Sequence, residues 1–150
     1  MSTETIIKVE LATSEALYKG AMAIRKQVFV KEQRIPESKE FDGNDFCAAH
    51  VVAYVQNNRR LPIGTMRIRF FSDFVKFERM AVIRNFRKTK VAEDIMQYGL
   101  KYVAEKGYRQ VYGMCKQELL PRWQQCGYHE IPGAERIEQN GMVLIPSVLI

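Results

Sequence analysis

Hydrophobic side chains recur along this chain with two periods, and the points where the period changes mark its elements. Residues 6–11 suit a first strand, and Thr13 or Ser14 can cap a helix carrying Leu17, Ala21, Ile24 and Val28 on one face. Residues 31–45 lose the pattern and hold Pro36 and the turn-forming run Asp42-Gly43-Asn44-Asp45. An apolar strand over 48–55 follows, and Asn57-Asn58-Arg59-Arg60 turns the chain back. Residues 63–70 alternate Met66, Ile68 and Phe70 with Arg67 and Arg69, the mark of a half-buried strand, and 74–83 forms the next. Over 88–106 the positions Val91, Ile95, Tyr98, Tyr102 and Val103 return to helical spacing, and Gly107 ends the run. Residues 108–114 read as a strand and 118–126 as a short helix closed by Gly127. The apolar tail 142–150 reads as a last strand, with Pro146 pointing to an edge or a bulge.

The predicted order is β-α-(irregular helix)-β-β-β-α-β-α-β-β. Antiparallel strands come first and a strand–helix–strand crossover follows. The class is α+β, with a ligand expected where the crossover begins.

Composition narrows this picture without redirecting it. With 150 residues, 47% hydrophobic and 27% charged, the chain suits one ordinary globular domain over 1–150. Apolar runs stay well below the roughly 20 residues of a membrane span, and Met1-Ser2-Thr3-Glu4-Thr5 does not read as a signal peptide, so a cytoplasmic protein is expected. Cys47, Cys115 and Cys126 are odd in number and lack metal-type spacing, which points to reduced thiols and no metal site.

The net charge of +6 favours anionic partners, and its distribution says more than its size. Arg84, Arg87, Lys88 and Lys90 fall within seven residues, between a strand ending near Val82 and the helix that carries Val91 and Ala92. Such a junction collects free backbone N–H groups and a positive helix end, a setting for phosphate. The other reading of the run is a solvated surface. Aromatic residues do not interleave with these cations as a stacking platform would need, so nucleic acid is not expected.

The run Glu78 through Met96 resembles motif A of the GNAT superfamily of N-acetyltransferases. Ile24-Arg25-Lys26-Gln27-Val28-Phe29-Val30-Lys31-Glu32-Gln33, with Asp42 and His50 downstream, resembles the opening of small stand-alone bacterial members. Gln117 through Trp123 to Gly127-Tyr128 resembles the far wall of that family's cofactor site. The resemblance implies a mixed, mostly antiparallel sheet of about six or seven strands with about four helices. It also implies acetyl-CoA as donor and an amine of a small molecule or protein as acceptor.

By the same resemblance, Met80, Ala81 and Val82 line a bulged strand against which pantetheine pairs, and Trp123 stands on the opposite wall. The family's loop, Arg/Gln-x-x-Gly-x-Gly/Ala, falls on Arg87-Lys88-Thr89-Lys90-Val91-Ala92. Arg87 and Ala92 match. Lys90 replaces the central glycine, and Lys88 replaces another frequent one. If the loop forces a positive φ at Lys90, the strain is on the order of 1 kcal/mol. The two lysines either add charge to a phosphate site or point into solvent.

Acetylation of an amine calls for a base, an oxyanion donor and a proton for the leaving thiolate. Glu78 is the leading base candidate, with an ion pair to Arg67 or Arg69 as its other reading. His50 is the second candidate, alternatively structural. The Val82 N–H is the simplest oxyanion donor. Trp123 occupies the place of the family's tyrosine acid and cannot deliver a proton, which leaves Tyr128 and Cys126 as nearby substitutes. Where relatives carry a histidine after Glu-x-Gly-Ile, this chain has Asn140-Gly141-Met142-Val143-Leu144.

The leading expectation is an acetyl-CoA-dependent N-acetyltransferase using direct attack. A weakened GNAT domain binding acyl-CoA or a partner in a regulatory role is the alternative, and an acyl-homoserine-lactone synthase is a third. The apolar tail makes a homodimer conceivable.

Overall fold

The computed structural model describes residues 6–139 and 142–149. Residues 1–5, Asn140, Gly141 and Ile150, on which several of the readings above fall, lie outside the described residues.

Ser14 is the helix cap, since its side chain accepts the Leu17 N–H at 3.2 Å. Helix α1 (Glu15–Arg25) buries Leu17, Ala21 and Ile24, then continues without a break into a π-helical stretch over Lys26–Glu32. There the Gln33 N–H reaches back five residues to the Val28 carbonyl at 3.1 Å. The wider turn presses Val28 and Phe29 inward with Ile24 against Ala81. Helix α2 (Glu37–Glu40) is a single turn behind Pro36.

Strands β1 (Ile6–Leu11), β2 (Ala49–Gln56), β3 (Arg60–Phe70) and β4 (Val75–Val82) form an antiparallel half-sheet in sequence order. Helix α3 (Val91–Glu105) then crosses to β5 (Val111–Lys116), the parallel neighbour of β4. After α4 (Leu120–Gln124) come β6 (His129–Glu130), β7 (Ile137–Gln139) and β8 (Met142–Leu149). The described residues form one eight-stranded sheet in the order β1-β2-β3-β4-β5-β8-β6, with β7 also on β8.

Helix α3 covers one face of this sheet and α1 the other. Val91, Ile95 and Val103 pack against Ile63, Met66, Ile68 and Phe77, while Leu17 and Ala21 meet Val52 and Tyr54. Alternation along β2 and β3 therefore separates two apolar layers. Gly99 lets α3 come close: a Cβ there would stand 2.6 Å from the Met66 methyl.

Several boundaries differ from the sequence reading for local reasons. Residues 88–90 are a turn before α3, and Gly107 at φ +94° closes the helix while the Tyr108 N–H bonds the Val103 carbonyl. Pro146 lies at neither an edge nor a bulge. It pairs with Met114 inside the sheet, opposite the interruption between β6 and β7, where a missing N–H disturbs least.

Candidate active site

Strands β4 and β5 run parallel for only three pairs, from Val75 with Val111 to Phe77 with Gly113, and then part. The cause lies in β4, whose register on β3 slips between the Arg67–Glu78 and Thr65–Ala81 pairs. Arg79 absorbs the extra residue at φ 57°, a left-handed conformation that costs a non-glycine residue about 1 kcal/mol. Beyond this bulge the Ile83 N–H returns to the Ile63 carbonyl at 2.9 Å. By strand alternation the Val82 amide therefore faces away from β3, into the gap. A cavity of about 550 Å³ fills the gap, lined on one side by Glu40, Glu78, Arg79 and Met80 and on the other by Met114, Trp123 and Tyr128.

At one end of the gap the chain turns through a short 3-10 segment (Arg84–Phe86) into α3. Thr89 organises this corner: its hydroxyl donates to the Phe86 carbonyl at 2.5 Å and accepts the Val91 N–H at 3.3 Å. The N–H groups of Lys88, Lys90, Ala92 and Glu93 make no backbone hydrogen bond among the described residues. Arg122 bonds Glu93 at 2.6 Å and the Thr89 carbonyl at 3.3 Å, docking α4 on this corner.

On the α1 side of the gap lies a buried ionic cluster. Arg25, fully buried, donates to Glu40 Oε2 (2.8 Å), the Glu40 carbonyl (2.9 Å) and Asp45 Oδ1 (2.6 Å). Arg67, 1% exposed, binds Glu78 Oε1 twice, at 2.7 and 3.0 Å, and reaches both Asp42 and Asp45. Lys76 Nζ stands 3.2 Å from Glu78 Oε2. Arg79 Nε approaches Glu40 Oε2 at 3.1 Å at an angle too poor for a hydrogen bond, which leaves that N–H without a hydrogen-bond partner.

The same cluster sets its carboxyls apart. Arg67 hydrogen bonds hold Asp42 well below the usual carboxylate range. Burial lifts Glu78 and Asp45, but Lys76 and Arg67 at the first, and Arg25 and Arg67 at the second, more than offset it, so both are lowered. At Glu40 burial wins over Arg79 and Arg25, and its carboxyl is raised.

A splayed parallel strand pair, a bulge at the split and a helix start at its mouth form one arrangement, and the sequence comparisons agree on what it is. The family description "Acetyltransferase (GNAT) family" matches residues 16–128. The chain belongs to the GNAT acetyltransferase family. A Bacillus subtilis (strain 168) protein named as an acetyltransferase is 32% identical over 148 residues, covering 96% of this chain and 95% of its own length. A crystal structure of a Lactobacillus plantarum protein named as an N-acetyltransferase superposes with a TM-score of 0.85 at 23% identity, over 95% of this chain and 97% of that one. A GNAT acetyltransferase from Elizabethkingia anophelis, solved with acetyl-CoA bound, superposes with a TM-score of 0.67 at 14% identity, covering 95% of this chain and 97% of its own.

Within this GNAT domain the residues singled out from sequence fall into three groups. Glu78, Met80, Trp123 and Tyr128 line the cavity. Val82, Arg87, Lys88, Thr89, Lys90 and Ala92 lie at or beside the helix start. The rest turn elsewhere. Ala81 pairs with Thr65 and buries its methyl in the core, as Val91 buries its side chain. His50 is not brought to the cavity. Its ring packs edge-on against Tyr18 with Nε2 3.0 Å from the Asp45 carbonyl, and burial lowers its pKa, which favours the neutral ring.

One expectation changes, and two further details of the site emerge. Lys90 sits at φ −83°, so the loop asks for no left-handed residue there and lysine carries no backbone strain. Arg87 is half-buried and already engaged: it donates to the Val82 carbonyl at 2.8 Å and to Glu32 at 2.6 Å. The bulge also breaks the strand parity between Glu78 and Met80. Met80 packs toward the α3 layer, whereas Glu78 points into the ionic cluster. Burial raises the pKa of Tyr128, whose hydroxyl is 3.4 Å from the Met96 sulfur, so it remains a protonated donor.

The residues missed in the sequence are Glu40, Arg25 and Arg79. Arg25 left a signal, a cation one residue past Ile24 on a helix whose apolar face includes Ala21. Glu40 sat in the stretch without periodicity and left none.

Proposed function

We propose that this GNAT domain transfers an acetyl group from acetyl-CoA to the nitrogen of an amine, carried by a small molecule or a protein, by direct attack. The observation that carries the reading is the gap between β4 and β5, which opens beside unsatisfied N–H groups at the start of α3. When bound, acetyl-CoA supplies an activated thioester.

The chain's own groups fit such a donor. The Lys88, Lys90, Ala92 and Glu93 amides and the two lysine side chains suit a pyrophosphate at the helix start. Backbone groups of Met80 that lack a β5 partner suit the amide-bearing arm, and the Val82 N–H, whose own carbonyl is held by Arg87, suits a carbonyl oxygen gaining charge. The Tyr128 O–H, held protonated beside the Met96 sulfur, suits a hydrogen bond to a leaving sulfur without giving up its proton outright. At the other mouth Glu40 and Glu78, balanced by Arg25, Arg67, Lys76 and Arg79, offer carboxylate oxygens that suit the N–H groups of an amine. Among the described residues no helix is long and apolar enough to cross a membrane.

The test is release of free thiol from acetyl-CoA across a panel of amines that includes polyamines, amino acids, aromatic amines and lysine peptides. Amine-dependent thiol release, with an acetylated product by mass spectrometry, supports the reading. A panel without any amine-dependent release, under conditions where the protein is folded, overturns it.

A further inference from the structure

Two carboxylates face the cavity, and they are not equivalent. Glu78 has both oxygens occupied: Oε1 takes two Arg67 bonds, and Oε2 lies 3.2 Å from Lys76. Glu40 uses only Oε2, for Arg25 and the Arg79 approach. Among the described residues its Oε1 takes no hydrogen bond, so that oxygen is left to the cavity. Phe29 and Ile35, which line the same wall, keep the carboxylate poorly solvated.

We propose that Glu40, and not Glu78, takes the proton from the acceptor's ammonium group in the transfer reaction proposed above, on which this inference rests. Arg25 fixes the geometry by gripping both the Glu40 side chain and its backbone carbonyl, so one oxygen is clamped while the other is presented. The charged groups around Glu40 come from every neighbouring element: Arg25 on α1, Lys39 on α2, Arg67 on β3, Glu78 and Arg79 on β4, and Asp42 and Asp45 in the following loop. Burial nonetheless keeps its proton affinity above that of an ordinary glutamate. When environments drive two neighbouring carboxyls apart, the raised one is the better proton acceptor and the lowered one the better fixed charge. Glu78 is then a positioning residue that holds Arg67.

The proton balance closes without another reactant. The ammonium gives one proton to Glu40 and becomes a neutral amine. Its nitrogen forms the C–N bond as the C–S bond breaks, and the sulfur leaves with the electron pair. The second nitrogen proton goes to the sulfur, giving free thiol and amide, and Glu40 returns its proton to solvent.

The test compares wild type, Glu40→Gln, Glu40→Asp and Glu78→Gln, using whichever amine the panel identifies, by kcat/KM from pH 5 to 9. Glu40→Gln is expected to lose about 10²–10³-fold and the acid limb of the profile. Glu78→Gln should lose less and keep that limb. A readout independent of turnover is carbon-13 NMR of labelled glutamate carboxyls: one resonance titrating above the ordinary range should vanish in Glu40→Gln and persist in Glu78→Gln. If Glu40→Gln fails to fold, Glu40→Asp and the spectrum of Glu78→Gln decide. An acid limb that survives in a folded Glu40 variant and vanishes in Glu78→Gln overturns the assignment. So does a raised carboxyl that disappears with Glu78. A wild type that acetylates no amine overturns the transfer reading and this role together, whereas an active wild type with an unchanged Glu40→Gln profile overturns this role alone.

Discussion

Replacing Arg67 by methionine tests the ionic cluster that shapes the acceptor side of the gap. The guanidinium is 1% exposed and makes five hydrogen bonds, two each to Glu78 and Asp42 and one to Asp45. Methionine approximates the volume, so the loss is chiefly electrostatic. Removing one side of a buried ion pair costs about 3–5 kcal/mol. Arg25 stays on Asp45, Arg79 near Asp42 and Lys76 near Glu78, which places the expected loss near the lower end, about 3 kcal/mol. In a chain of this size that is about 6–12 °C in Tm.

The pH dependence carries the sign. Asp42, Asp45 and Glu78 are all lowered in the folded protein, so they contribute stability in full above the ordinary carboxylate range. That contribution is lost as pH falls through their folded values. Without Arg67 their folded values rise, and protonation relieves the repulsion in the variant sooner. The difference in unfolding free energy, measured by urea denaturation, should be largest at neutral pH and shrink below about pH 5. A difference under about 1 kcal/mol at pH 7, or one unchanged by acid, would refute the reasoning.

Two other outcomes follow from packing and exposure. Gly99→Val places a branched side chain where a Cβ would already stand 2.6 Å from Met66 and 3.1 Å from the Phe77 ring; it should cost about 1–3 kcal/mol in urea unfolding, and a neutral result would show that α3 is not pressed on β3. Cys47 is exposed, whereas burial pushes the Cys115 thiol up to about 11, so labelling at pH 7.5 should modify Cys47 well before Cys115 as read by peptide mass.

The long periodic elements were legible because burial imposed their pattern directly. The apolar faces of α1 and α3 read correctly, and β3 was legible as a strand, but not as a half-buried one: residues 63–68 are buried on both faces, and Arg67 is 1% exposed because Asp42, Asp45 and Glu78 pair with it. The tail misled because a proline in a central strand is rare, and its tolerance here depends on β6 and β7 stopping on either side of it. The site was harder to read. The family resemblance gave Glu78, Met80, Trp123 and Tyr128 as neighbours of one cleft, and all four line the cavity. Residue order offered an ion pair from Glu78 to Arg67 or Arg69 beside the role of base, and the register that sets Arg67 opposite Glu78 shows that the pair with Arg67 forms. It could not show that Lys90 needs no glycine conformation. The bulge moved the strained residue to Arg79, whose sequence carries no glycine to mark it. Glu40 was invisible for a related reason: a one-turn helix in an irregular stretch has no period, and its burial depends on Arg25 and Arg79, which reach it from distant elements.

The central claim is that the gap and the helix start together hold acetyl-CoA. Calorimetric titration with acetyl-CoA and with S-acetylpantetheine, which lacks the pyrophosphate and nucleotide, tests it most directly. Acetyl-CoA should bind at least about tenfold more tightly, a difference of about 1.4 kcal/mol. Lys90→Gly should narrow that difference, because lysine there supplies charge without strain. Absence of heat with acetyl-CoA, or equal affinity for the two compounds, would contradict the account.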